Sequence, residues 1–248
     1  MEEKIFFNNS QGEKLVGIIS RVSENNEIVT VVHGYASSKN GTNNQWIFGA
    51  LNDAKINSFR IDLSGCGESE GKFEDQTITK TIEDVKSAIK CIKKKGFDKI
   101  DLLGESSGGM SVIGASLKNT EINKLILIAP SMDFVYQRIK KFGQESISGW
   151  KDKGHIIYTK GDGTKLKVNY SFFEDAMNNI MTDKANQLSV PVLLIYGSED
   201  QTIPTDKCRK FAQGLRNGKV IELNGAGHIL TKNNFHLKVM ESVVEWLK

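Results

Sequence analysis

An α/β fold built on a mostly parallel, doubly wound sheet is predicted by three observations. Short apolar runs alternate with stretches of helical spacing along most of the 248 residues. One run, Ile28 to Val32, is continuous and β-branched, the pattern of a strand buried on both faces. Glycine-rich or polar loops follow four of the runs, and in such sheets the C-terminal strand ends share the edge where ligands bind.

Ile5 to Asn8 and Leu15 to Ser20 read as strands joined by a turn at Ser10-Gln11-Gly12-Glu13, an antiparallel start to the sheet. After Ile28 to Val32 come His33-Gly34-Tyr35 and a polar loop, then helical spacing from Gln45 to Ala54. Ser58 to Ile61 is a strand that runs into the turn DLSGCGESEG. Ile82, Val85, Ala88, Ile89 and Ile92 recur at intervals of three and four, so Ile78 to Lys95 is a helix, stopped by Gly96. Ile100, Leu102 and Leu103 form a central strand, Met110 to Leu117 lie in the helix beyond it, and Leu125 to Ala129 is a further buried strand ending at Pro130. Residues 131–188 break the alternation. They hold FVYQRIKKFG, a hairpin expected at HIIYTKGDGTKLKVNY from its GDG turn, and a helix-like FFEDAMNNI. Too short for an independent domain and too long for a loop, they read as an inserted lid between two parts of one core, 1–130 and 189–248. Val192 to Tyr196, Thr205 to Gly214 and Val220 to Leu223 resume as strand, helix and strand, and a last helix carries Val239, Met240, Val243, Val244 and Trp246.

A chain of this length supports one large core, and 39% hydrophobic with 25% charged residues is ordinary globular composition rather than a disordered one. The opening MEEKIFFNN puts two acids before a short apolar run, unlike a signal peptide, and no stretch approaches the roughly 18 apolar residues of a membrane helix. Cys66, Cys91 and Cys208 make neither a disulfide framework nor a closed metal site, which points to a reducing cytoplasm. The net charge of +3 is spread among acids, and the densest positive run, KCIKKK, ends a predicted helix, where cations complement the dipole. With no basic face interleaved with stacking aromatics, nucleic-acid binding is not expected. His33, His155, His228 and His236 form no H-x-x-x-H or H-E-x-x-H pair, and DLSGCGES matches neither G-x-G-x-x-G nor a P-loop, so neither a metal nor another cofactor is expected.

The chemistry centres on Gly104-Glu105-Ser106-Ser107-Gly108, a G-x-S-x-G at the point where strand gives way to helix. A chain that reverses over one residue crowds the positions two to either side, which the glycines relieve. Ser106 is therefore the nucleophile position. Three other strand ends carry related groups: His33-Gly34-Tyr35, Gly197-Ser198-Glu199-Asp200 and Gly225-Ala226-Gly227-His228. Serine, acid and histidine occur in the chain order of an α/β-hydrolase site.

With H-G-Y, D-x-x-G-x-G-x-S at Asp62 to Ser69, the elbow, G-x-x-D-x-x-x-P at Gly197 to Pro204 and G-x-G-H at Gly225 to His228, the chain resembles the α/β-hydrolase superfamily over essentially its whole length. In size and insertion it is similar to bacterial feruloyl/cinnamoyl esterases, and it shares markers with monoacylglycerol-lipase-like and serine-aminopeptidase-like hydrolases. The resemblance implies an eight-stranded α/β-hydrolase fold with an inserted lid, and a serine carboxylic-ester hydrolase acting on a small-molecule ester. Ser106 is then the nucleophile, His228 the general base and acid, and Asp200 the acid that orients the imidazole, with Glu199, Asp206 and Asp133 as competing carboxylates. The backbone N–H groups of Tyr35 and Ser107 are the expected oxyanion hole, while His33 braces its loop. The Tyr35 hydroxyl serves either the substrate or its own loop. The aromatics of 131–188 (Phe134, Tyr136, Phe142, Trp150, Tyr158, Tyr170, Phe172 and Phe173) line an acyl pocket or form the core of the insertion. A lipase or thioesterase keeps the same triad. A peptidase needs acids for a free amine, for which Glu145, Asp152, Glu174 and Asp175 are available, and a non-catalytic binding protein of this fold is the reading outside enzymes.

Overall fold

The computed structural model describes residues 2–117, 119, 121–230 and 234–248. The chain opens with the antiparallel strands β1 (Glu2–Asn8) and β2 (Lys14–Ser20), then β3 (Glu27–Val32), α1 (Thr42–Asp53) and β4 (Ser58–Ile61). It continues through α2 (Ile78–Lys94), β5 (Lys99–Glu105), α3 (Ser107–Ser116) and β6 (Ile122–Ile128). Next come α4 (Phe134–Lys153), the hairpin β7 (His155–Thr159) and β8 (Lys165–Asn169), and α5 (Ser171–Asn178). The chain closes with β9 (Val192–Gly197), α6 (Thr205–Gln213), β10 (Gly218–Leu223) and α7 (Phe235–Leu247).

Eight strands form one sheet in the order β1-β2-β4-β3-β5-β6-β9-β10, antiparallel at β1–β2 and β2–β4 and parallel from β4 onward. This is the α/β-hydrolase fold. The continuous apolar strands follow from burial on both faces, since successive side chains point to opposite sides. Ile28 and Val32 of β3, Leu102 of β5 and Leu194 of β9 enter one core with α2 and α3. Val29 and Val31, Leu103 and Ile195 enter the other, with Ile47 of α1 and Val239 of α7. Thr77 caps α2 by accepting from the Lys80 N–H at 3.0 Å.

Residues 131–188 lie against the loop after β4 and the start of α2. Lys167 pairs with Glu74 at 3.3 Å, and Asp175 accepts from the Thr79 N–H at 2.8 Å. α4 has no counterpart among the helices that the sequence predicts. Gly143, at φ 77° and ψ 162°, breaks its helical path in the middle. Asp133 caps its first turn, accepting from the Tyr136 N–H at 2.9 Å. Among the described residues no helix is long and apolar enough to cross a membrane, and no three His, Cys, Asp or Glu side chains group to hold a metal ion.

Candidate active site

Ser106 stands between β5 and α3 at φ 51° and ψ −120°, a conformation costly for a residue with a Cβ and here fixed from both sides. Its N–H donates to Ile128 O at 3.0 Å, and its carbonyl accepts from the Ser131 N–H at 2.8 Å. The flanking glycines have separate reasons. A Cβ on Gly104 would lie 2.6 Å from Gly108 O, and one on Gly108 would lie 2.5 Å from Val32 O, so α3 could not seat against the end of β3. Gly34 packs on the serine itself, where a Cβ would come within 3.2 Å of Ser106 Cβ.

The loop after β10 brings His228 to the serine, with Nε2 3.1 Å from Ser106 Oγ. The loop after β9 brings Asp200 to the far side of the ring, where Oδ2 is 2.7 Å from Nδ1. The other oxygen of Asp200, Oδ1, accepts from the N–H groups of Thr202 at 2.8 Å and Ile203 at 2.7 Å. The carboxylate is nearly inaccessible to solvent, and the imidazole is partly open. With Asp200 accepting from Nδ1–H, Nε2 is free to accept the serine proton. Of the competing carboxylates, Asp133 is held as a helix cap and pairs with Lys207 at 3.4 Å, while Asp206 lies 4.0 Å from Lys140. Glu199, next to Asp200, donates its backbone N–H to Ala226 O at 2.9 Å.

His33 is fully buried. The Leu63 N–H donates to its Nε2 at 3.2 Å, so Nδ1 carries the proton and donates to Gly34 O at 2.8 Å, and burial holds the ring pKa below its ordinary value. The same loop is tied down through Asp62, which accepts from the Lys39 N–H at 2.7 Å and pairs with the buried Lys39 ammonium. Asp62 also accepts from the Glu68 N–H at 2.8 Å, so DLSGCGES acts as a clamp on the loop that presents Tyr35. The Tyr35 N–H has no backbone acceptor among the described residues, and the Ser107 N–H, first in α3, has none in its own helix.

A cleft of about 360 Å³ opens over Ser106 and His228. Phe134 and Tyr158 line it. Trp150, Phe172 and Phe173 are buried in the insertion, Tyr170 stacks on Phe173, Tyr136 lies against Lys207 and Phe142 is exposed. The Tyr35 ring contacts Phe73, Phe134, Tyr158 and Phe172 edge-on or tilted, and its hydroxyl is buried without a partner. Glu105 and Asn43, hydrogen-bonded to each other, sit at the floor, and burial pushes the Glu105 carboxyl above the usual carboxylate range against the pull of Asn43 and His228. Gln137, Arg138 and Lys141 of α4 complete the wall. Sequence reasoning missed these three because α4 itself was unread, whereas Glu105 sits visibly inside the elbow motif.

The family model described as serine aminopeptidase, S33 matches residues 23–153, from the approach to β3 through α4. Among curated proteins, the mitochondrial palmitoyl-protein thioesterase ABHD10 of Homo sapiens is 26% identical over 183 residues, 71% of this chain and 58% of that protein. The chain thus spans less than two thirds of that relative's length. Among solved structures, Est1E from Butyrivibrio proteoclasticus with ferulic acid bound superposes at a TM-score of 0.83, with 24% identity and coverage of 98% of this chain and 97% of that one. Mouse alpha/beta hydrolase domain-containing protein 10 superposes at 0.82, with 20% identity and coverage of 99% and 98%. These two likenesses are of fold.

Proposed function

Because the chain belongs to the serine aminopeptidase S33 family, within the α/β-hydrolases, we propose that it is a serine carboxylic-ester hydrolase for small to medium acyl esters, feruloyl and cinnamoyl esters among them. The observation that carries this reading is the unbroken relay from Ser106 Oγ through both nitrogens of His228 to Asp200. In the proposed reaction Ser106 attacks the ester carbonyl while Nε2 of His228 takes its proton, and Asp200 stabilises the imidazolium. The N–H groups of Tyr35 and Ser107 meet the oxyanion. His228 then protonates the leaving alcohol, and water activated by the same nitrogen releases the acid and regenerates the serine. Residues 131–188 serve as the lid, with Phe134 and Tyr158 offering an apolar wall to the acyl group.

A thioester is the second reading, favoured by the name of the human relative, and it uses the same relay. An aminopeptidase is disfavoured by the charge of the cleft. Glu145, Asp152, Glu174 and Asp175 lie outside its lining, Asp175 is engaged with Thr79, and the cations of α4 would repel a free amine. Three free cysteines, two of them buried, support a reducing compartment such as the cytoplasm.

The test is hydrolysis of methyl ferulate, 4-nitrophenyl acetate through decanoate, a monoacylglycerol, a palmitoyl thioester and an aminoacyl-naphthylamide, each beside Ser106→Ala. Turnover of the esters, falling by about 10⁴-fold or more in Ser106→Ala, is expected. Turnover no greater than that of Ser106→Ala on every member of the panel overturns the reading.

A further inference from the structure

Arg138 is a half-buried cation on the wall of the cleft with no hydrogen-bond acceptor and no carboxylate partner among the described residues. A guanidinium carries five N–H donors, stays charged at any ordinary pH and is costly to leave unpaired away from bulk water. Among the described residues the other buried cations each hold a carboxylate, although Arg60 likewise leaves its Nε unpaired. Lys39 holds Asp62, Arg60 holds Glu2 and Lys80 holds Glu13. Arg138 is instead held among rings, 4.7 Å from the centroid of Phe134, 5.4 Å from Phe142 and 5.9 Å from Tyr35. Aromatic faces position a guanidinium but accept none of its in-plane N–H bonds. Lys141, one turn further along α4 and on the same wall, also lacks a carboxylate partner. The nearby Lys140 and Lys207 are already engaged with Asp206 and Asp133. Glu105, the carboxylate of the cleft floor, is taken by Asn43.

We propose that Arg138, assisted by Lys141, binds an oxyanionic group of the substrate, so that the ester or thioester turned over at Ser106 carries a carboxylate or a phosphate in addition to its reacting carbonyl. A planar guanidinium pre-set by three rings donates two parallel hydrogen bonds to either group with little loss of side-chain freedom. The choice of substrate within the ester-hydrolase reading, on which this inference rests, then lies with charge at the α4 wall as much as with the width of the acyl pocket.

The test compares matched pairs in the full-length protein. Mono-4-nitrophenyl adipate against 4-nitrophenyl hexanoate places a carboxylate on the acyl side. 4-Carboxyphenyl butanoate and 4-phosphonooxyphenyl butanoate against phenyl butanoate place a carboxylate or a phosphate on the alcohol side. At least a tenfold higher kcat/KM for one anionic member is expected, with that ratio falling toward one in Arg138→Met, partly kept in Arg138→Lys and reduced in Lys141→Met. Calorimetric binding of adipic acid monoanilide against hexananilide, to the wild-type protein and to Arg138→Met, reads the same preference without turnover. An anion preference in binding with no ester hydrolysis overturns the hydrolase reading and leaves the anion site standing. Equal ratios in wild type and Arg138→Met, or neutral ligands bound as tightly as anionic ones, overturn the anion site whatever the turnover.

Discussion

Asp200 uses both of its oxygens, and this determines what an asparagine does in its place. Oδ1 accepts from two backbone N–H groups, of Thr202 and Ile203, which an amide oxygen still satisfies. The amide NH₂ must then face Nδ1 of His228, where it donates, so the imidazole carries its proton on Nε2 and cannot accept one from Ser106. Asp200→Asn is expected to lower kcat by about 10³- to 10⁴-fold with little change in thermal unfolding, as read by steady-state kinetics beside a melting curve. Ser106, His228 and Asp200 were legible because close approach and tight turning demand glycine at set distances from each. Gly34, Gly104 and Gly108 each stand where a side chain would strike the backbone or the serine itself. Arg138 left no such mark, since a lone arginine among lysines on an amphipathic stretch has no spacing that separates a ligand group from a solvated one.

Within α4, two glycines six residues apart act in opposite senses. At Gly143 nothing lies within 4 Å of an added Cβ, yet its φ of 77° and ψ of 162° belong to backbone that only glycine adopts readily. At Gly149 there is equally open space, but the backbone is helical. Gly143→Ala is expected to destabilise by about 1–2 kcal/mol and Gly149→Ala to stabilise by about 0.5–1 kcal/mol, measured by urea unfolding. Only the first should also alter the cleft, because it joins the half of α4 that carries Phe134, Arg138 and Lys141 to the half anchored by Trp150. The sheet strands were readable as short apolar runs, and the β7–β8 hairpin as β-prone residues around GDG, with Gly163 at φ 83° in the turn. α4 was harder to read, because its apolar residues are sparse and a glycine, the usual stop signal of a helix, stands at its middle.

Over the whole molecule, stability between pH 4 and pH 7 carries the imprint of Asp101, buried on β5 against Asn123, which donates to it at 2.9 Å. Burial pushes its carboxyl up to about 6, above the 3.8 of an unfolded chain, so the native state holds a proton that the unfolded state has already released. Its contribution is therefore fully present below pH 4 and is lost as pH rises toward 6. Asp101→Asn should thus stabilise the protein at pH 7.5 by up to about 3 kcal/mol and at pH 4 by only about 0.5 kcal/mol, read from urea midpoints at the two pH values. The parallel centre of the sheet followed from strand–helix alternation, but the position of β4 between β2 and β3 did not, since local patterns carry no information on which strand lies beside which. The hairpin turn at Gly161-Asp162-Gly163 lies between the serine in one stretch of chain and its acid and imidazole in the other. A single nick there would leave two fragments that each lack part of the relay. They would have to find one another along Leu125–Ile128 and Val192–Ile195, where β6 meets β9, so that the distance from Ser106 to His228 becomes a record of whether two separate polypeptides have been brought together.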